Sequence, residues 1–381
     1  MASAQDKDGV AGPEGLDGVR HVVAVGSGKG GVGKSTVAVN LAVALAQEGS
    51  SVGLLDADIY GPSQPGLLGA SGEEATAAGE VMRPSERHGV RFMSVGLLMP
   101  QGGPVVWRAP MAVKLLQQFL FEVAWGRLDF LLIDMPPGTG DVQLTLAQAA
   151  SLSGAVIVTT PQRVALDVAR KGLQMFRQVN VPIVGVVENM SGFTCGHCGK
   201  PTAVFKGGGG GALAATEKVP FLGALPLDPE VMAGGDEGLP ALVKSPDSGP
   251  ARAYRALAGE FRRQLGLVQA ASGDAPKKLE RGPGGEIRVE WTDGHAGRHT
   301  PYHLRVNCPC AACVDEHSGK RVLDPKTVPL DVKVDGVQPV GRYGAAFHFS
   351  DGHNTGIYTF KNLRTLCECP ACRPAAGAFK V

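Results

Sequence analysis

A chain of 381 residues exceeds the usual span of one domain, so two domains with flanking tails are expected. Lysine plus arginine (37) nearly cancels aspartate plus glutamate (36), and the net charge of +1 gives no global reason to expect nucleic acid or an anionic membrane as partner. No apolar stretch approaches the roughly 20 residues a bilayer span needs, and MASAQDKDGVAGPEG has no secretory-signal core, which points to a cytoplasmic protein.

Residues 1–18 are small, polar and Gly-rich and read as a disordered leader. From His21 onward, short β-branched runs alternate with helical patterns. The runs are HVVAV, SVGLLD, VRFMSV, DFLLID, AVIVTT, PIVGVV and FLGALP; continuous apolar strands of this kind suit a parallel sheet covered on both faces. Between them lie the helical patterns STVAVNLAVALAQEG, MAVKLLQQFLFEVA and VALDVARKGLQMFRQV, and the series closes on ARAYRALAGEFRRQLGL. The expectation is a mostly parallel α/β domain over residues 19–267.

The composition then changes. VQAASGDAPKKLERGPGG, residues 268–285, is rich in Gly, Pro, Ala and charge and reads as a linker. Residues 286–374 carry alternating strand-like segments (EIRVEW, AAFHFS, GIYTF), little helix signal and six of the eight cysteines, before a tail at 375–381. A β-rich unit of this size is too small for an apolar core alone to be comfortable, and a bound metal would help hold it. It also repeats itself: WTDGHAGRHTPYHLRVNCPCAAC and FSDGHNTGIYTFKNLRTLCECPAC share an aromatic, a DGH turn, a Leu-Arg pair and a closing C-x-C-x-x-C, which indicates duplication.

The eight cysteines sit in three clusters, CGHC, CPCAAC and CECPAC. In a reducing compartment such clusters suggest metal ligation or redox chemistry before disulfides. Cys195 and Cys198 alone are ambiguous, as a redox pair, half a zinc site or half an iron-sulfur site.

The stretch GSGKGGVGKST, residues 26–36, follows the first apolar run and opens the first helical pattern. A strand, a glycine-rich turn and a helix N-terminus put backbone N–H groups and the positive end of the helix dipole around an anion. Gly28, Gly30, Gly31 and Gly33 let the chain curl around phosphate oxygens, with Val32 and Thr36 completing the loop. Lys34 reaches the terminal phosphates and Ser35 supplies a hydroxyl to Mg²⁺. LLDADIYGPS places Asp56 and Asp58 just past a strand end, and FLLIDMPPGTGD ends a buried strand on Asp134, suited to Mg²⁺ through water.

The second lysine of the loop, Lys29, gives the pattern K-G-G-x-x-G-K-[ST], which resembles the deviant Walker A motif of the MinD, ParA, nitrogenase iron protein and Mrp/ApbC carrier family. The resemblance implies an ATP-hydrolysing homodimer in which Lys29 stabilises charge on the partner's nucleotide. Asp58 would position the attacking water, Asp56 would lie near the metal and Asn189 would read adenine. DADIYGPSQP, VVWRAPM, DMPPGTGD, TTPQRVALDVARKG, ENMSGFTCGHCG and GALPLDPEV together resemble the Mrp/ApbC iron-sulfur cluster carriers over nearly all of residues 20–265. That family implies a [4Fe-4S] cluster bridging two subunits through Cys195 and Cys198, upstream cluster donors and recipient apoproteins, with His197 a spacer. Many relatives carry an extra domain before the P-loop domain, whereas here the P-loop strand starts by about Arg20. The contact that domain makes would be absent or supplied by the C-terminal domain.

Residues 286–374 resemble the small N-terminal domain of gamma-butyrobetaine hydroxylases, which implies Zn²⁺ held by Cys308, Cys310, Cys313 and His353. By the internal repeat, Cys367, Cys369 and Cys372 would take His295 and hold zinc or an iron-sulfur centre. The rival expectation is a ParA/MinD-like positioning switch with structural metals only, although no amphipathic tail or basic face is evident.

Overall fold

A computed structural model of the chain describes residues 15–16, 18–78, 81–98, 109–150, 152–194, 198, 200–202, 204–205, 207–272, 276–310, 312–314, 320–340 and 344–372. The chain divides into two units, Met1–Leu265 and Gly266–Val381.

The first unit is organised around strand β1, Val19–Ser27, whose Val22, Val23, Ala24 and Val25 are wholly buried. It lies between Gly154–Thr159 and Leu128–Asp134, parallel to both. The eight-stranded sheet runs Phe221–Ala224, Ile183–Glu188, Gly154–Thr159, β1, Leu128–Asp134, Val52–Asp56, Val90–Ser94, Ser85–Arg87. All neighbours pair in parallel except the last two, which are antiparallel. The seven apolar runs are the seven parallel strands, as expected for a sheet with helices on both faces. Ser85–Arg87 was not anticipated: it is a short, charged edge strand with no apolar run to announce it.

Helix α1, Lys34–Gln47, follows β1 directly and is buried along nearly its whole length. The other helical patterns form Ala109–Phe121, Arg163–Gln178 and Gly249–Ser272. That last helix corrects the expected linker at 268–285: helix formers in LVQAAS carry it to Ser272, and Lys278–Arg281 pairs antiparallel with Ile287–Glu290. The Gly-Pro-rich residues between those two strands make their hairpin turn. No helix among the described residues is long and apolar enough to cross a membrane.

The second unit contains two three-stranded antiparallel sheets, Lys278–Arg281/Ile287–Glu290/Ala296–His299 and Val334–Val340/Gly344–Phe349/Ile357–Thr359. Each is followed by a six-residue helix, Pro301–Val306 or Phe360–Thr365, and then by a cysteine triad. The weak helix signal is corrected here. The helices are too short to show periodicity, but Thr300 and Thr359 cap them by accepting from the backbone N–H of His303 and Asn362. The core is small: Ile287, Val289, Trp291, Leu304, Phe347, Tyr358 and Leu363 are its main buried members.

Candidate functional site

The phosphate loop leaves the end of β1 and closes on α1. Gly31 and Gly33 both have φ of 78°, a left-handed conformation that disfavours side chains. Gly28 answers a different need, because a Cβ there would stand 2.3 Å from the carbonyl carbon of Val168, where Arg163–Gln178 passes. A Cβ on Gly30 would meet nothing within 4 Å.

The two lysines of the loop have opposite environments. Lys34 is buried, forms an ion pair with the buried carboxylate of Asp134, and donates to Ser35 Oγ at 3.3 Å. Lys29 is exposed, as are its neighbours Gly30 and Gly31. Val32 is buried, while Thr36 is half-buried and its carbonyl accepts from the Asn40 amide.

Asp56 and Asp134 end adjacent strands in register and are both fully buried. Asp56 Oδ2 accepts from Ser94 Oγ at 2.9 Å and from the backbone N–H groups of Ser63 and Gln64, and Oδ1 accepts from Asp58 N–H. Burial, then the nearby Asp134 charge, pushes the Asp56 carboxyl up to about 7. Asp58 is half-buried, and burial also raises it, opposed by Lys34.

Gln64 Nε2 donates to Asp134 Oδ2 at 2.6 Å, while Gln64 Oε1 is buried without a hydrogen-bond partner among the described residues. Several acidic groups thus surround one ammonium, and an acceptor is left over. Both features fit a hydrated Mg²⁺ held through Ser35, Asp56 and Asp134. Gln64 and Ser94 were missed in the sequence, since a polar residue at the start of a short helix or the end of a strand gives no sign of the distant carboxylate it will meet.

Asn189 caps the end of Ile183–Glu188. Its Nδ2 donates to the Val32 carbonyl at 2.9 Å, so it sits against the phosphate loop itself. The preceding Glu188, also missed, accepts from Gly208 and Gly210 N–H at 2.9 and 2.5 Å, which fixes the start of helix Gly209–Glu217. Beyond Asn189 the chain forms a small hairpin, Phe193–Thr194 paired with Pro201–Thr202. The loop between these strands carries the first cysteine pair. Cys198 is a free, exposed thiol, whereas Cys195 and His197 lie outside the described residues, as do residues 105–108 of VVWRAPM.

In the second unit, Cys308, Cys310, Cys313 and His353 converge, with His353 Nε2 at 3.1, 3.5 and 3.9 Å from the three Sγ atoms. His295, Cys367, Cys369 and Cys372 converge likewise, at 3.4, 3.7 and 3.5 Å. In each group the ligand atoms all lie within 4.8 Å of one another. Burial pushes the Cys308 thiol up to about 12, so ionising it there calls for a cation such as zinc.

Residues 18–262 match the family model described as NUBPL iron-transfer P-loop NTPase, of the ParA group. The chain belongs to this family. Residues 281–364 match the model for the gamma-butyrobetaine hydroxylase-like N-terminal domain. An iron-sulfur cluster carrier protein of Deinococcus radiodurans is 53% identical over 253 residues, covering 66% of this chain and 72% of the relative. The mouse iron-sulfur cluster transfer protein NUBPL is 48% identical over 252 residues, covering 66% and 79%. Among solved structures, a nucleotide-binding protein of Archaeoglobus fulgidus in complex with ADP is 40% identical with a TM-score of 0.54, covering 62% of this chain and 92% of its own. A P-loop NTPase fold within the ParA group supports ATPase activity for the first unit.

Proposed function

We propose that this protein is an ATP-dependent carrier that binds a [4Fe-4S] cluster between two copies of itself and passes it to recipient apoproteins in the cytoplasm. One observation carries the coupling: Asn189, hydrogen-bonded to the phosphate-loop carbonyl of Val32, stands four residues before the hairpin that bears Cys198. Whatever moves the phosphate loop pulls on the segment that presents the thiols.

The chain's own residues supply the steps. Lys34 leaves Asp134 for the incoming phosphates, which frees that carboxylate. Bound Mg²⁺ would neutralise phosphate charge, held through Ser35, Asp56 and Asp134. Asp58 orients the attacking water. Exposed Lys29 reaches the partner's nucleotide and stabilises charge there, as an arginine finger does. Asn189 gives its amide to the adenine edge, and the resulting shift passes along the backbone to the cysteine loop. Two thiolates from each subunit complete the ligand set of the cargo. Cys308, Cys310, Cys313 and His353 hold a structural zinc that stabilises the second unit.

Anaerobic reconstitution with iron and sulfide tests the reading. Wild type should take up one cluster per two chains and release it to an apoprotein faster with ATP than without. A Cys195→Ala, Cys198→Ala variant that acquires the same cluster and transfers it equally well would refute the assignment.

A further inference from the structure

The repeat in the second unit is a crossed pair in three dimensions. Each cysteine triad takes its histidine from the other half, and each Leu-Arg pair grips the other half's Asp-Gly-His turn. Arg305 Nε donates to Asp351 Oδ2 at 2.7 Å, and Arg364 Nη2 donates to Asp293 Oδ2 at the same distance. Arg305 also stacks on Phe349 and Arg364 on Trp291, the aromatics that open the two turns.

The two halves differ in how they close. The Arg305 side chain is 9% exposed and its Nη1 also donates to Cys313 Sγ at 3.5 Å. A Cβ on Gly356 would stand 2.4 Å from Cys308 Sγ, so the backbone is pressed against that thiolate. Arg364 is 37% exposed, its Nη1 goes to the other Asp293 oxygen, and Cys372 is exposed. Cys369 lines an open groove with Glu290, Arg298 and Pro370.

We propose that His295, Cys367, Cys369 and Cys372 form a second metal site, for a single thiophilic divalent cation of the zinc class, which exchanges its ion with solvent while the Cys308 site retains its own. One ion bound tetrahedrally at ordinary Zn–S and Zn–N lengths sets its nitrogen and sulfur ligands about 3.6 Å apart. The observed separations of 3.4, 3.7 and 3.5 Å bracket that value. A cubane cluster gives each thiolate a separate iron, so its ligands stand farther apart than ligands on one ion. The geometry thus selects a mononuclear ion over a cluster. Binding at three thiols and one neutral imidazole sends the thiol protons to solvent, which makes uptake weaken in acid. Exchange follows from the exposed ligand: Cys367 and Cys369 are buried but Cys372 is open to solvent, whereas Cys313 is buried and accepts from Arg305, and a ligand reached by water leaves its ion faster than one held and covered.

The test uses the full chain carrying Cys195→Ala and Cys198→Ala, so that the first cysteine pair contributes nothing, loaded with zinc. About two zinc ions per chain are expected, one ceded to a colorimetric chelator about 10-fold or more faster than the other. Cys372→Ser, and independently His295→Gln, should remove the fast equivalent and keep the slow one, which also reports that the unit remains folded. Cobalt loading should show tetrahedral thiolate bands that fall by half in either variant. Four results would each overturn the proposal: one zinc that Cys372→Ser retains, two that leave at one rate, loss of both equivalents in both variants, or an iron-sulfide chromophore lost on Cys372→Ser.

Discussion

Lys34 and Asp134 form a buried ion pair across the floor of the phosphate loop, linking the first residue of α1 to the last residue of Leu128–Asp134. Deleting one partner strands the other charge away from water, which typically costs about 3–5 kcal/mol. Lys34→Met should therefore lower the urea midpoint of the nucleotide-free protein, and adding Asp134→Asn should restore most of the loss. Both variants should be inactive in ATP hydrolysis. Equal stability of Lys34→Met and wild type would show that the pair does not hold the empty loop.

Lys29 has the opposite profile. Because it is exposed, Lys29→Ala should change stability by no more than about 0.5 kcal/mol. Hydrolysis should nevertheless fall by about 10³-fold or more, the scale set by residues that act in trans on a transferring phosphoryl group. Mixing Lys29→Ala with Lys34→Ala chains should restore part of the activity, since each mixed dimer keeps one complete site. Activity unchanged in Lys29→Ala would remove the trans role.

The loop glycines separate packing from ligand approach. Gly28→Ala puts a methyl 2.3 Å from the Val168 backbone and should destabilise the unit, by about 1–3 kcal/mol if the helix can shift. Gly30→Ala meets nothing within 4 Å among the described residues and should fold at wild-type stability. A weakened affinity for ATP in Gly30→Ala, read by calorimetry, would then report how closely the main chain approaches the phosphates.

His299 should make the second unit acid-sensitive. It is fully buried, Nδ1 donates to the Leu366 carbonyl at 3.2 Å, and Nε2 has no hydrogen-bond partner among the described residues. Burial lowers its pKa from 6.5 to about 4. Between those values the unfolded chain takes up a proton that the folded chain refuses, so this stability is intact above 6.5 and is lost as pH falls toward 4. The loss is at most about 3 kcal/mol. Hydrogen exchange of peptides spanning residues 286–310, followed from pH 7 to 4, should show protection falling more steeply in wild type than in His299→Leu. Parallel pH profiles would contradict this.

The sheet was legible because every central strand is apolar on both sides, so burial writes itself into an uninterrupted run such as HVVAV or DFLLID. The phosphate loop was legible because its glycines answer local backbone demands, at Gly31 and Gly33 by conformation and at Gly28 by close approach. Of the crossed histidines, His353 was legible through the family resemblance and His295 only through the repeat. Gln64, Ser94 and Glu188 were not, because their partners lie 70, 38 and 20 residues away. Ser85–Arg87 was hidden for a related reason: an edge strand is defined by the neighbour it pairs with, and its own residues are polar.

The exchange of histidines makes the two halves of the second unit interdependent. A solitary repeat would carry three sulfur ligands and a histidine placed to serve the other half, so neither ligand set is complete without both. Because both halves lie on one chain, the two sites need not be identical, as sites related by the axis of a symmetric dimer must be. Arg305 donates to Cys313 Sγ at one of them, while at the other Arg364 is 37% exposed.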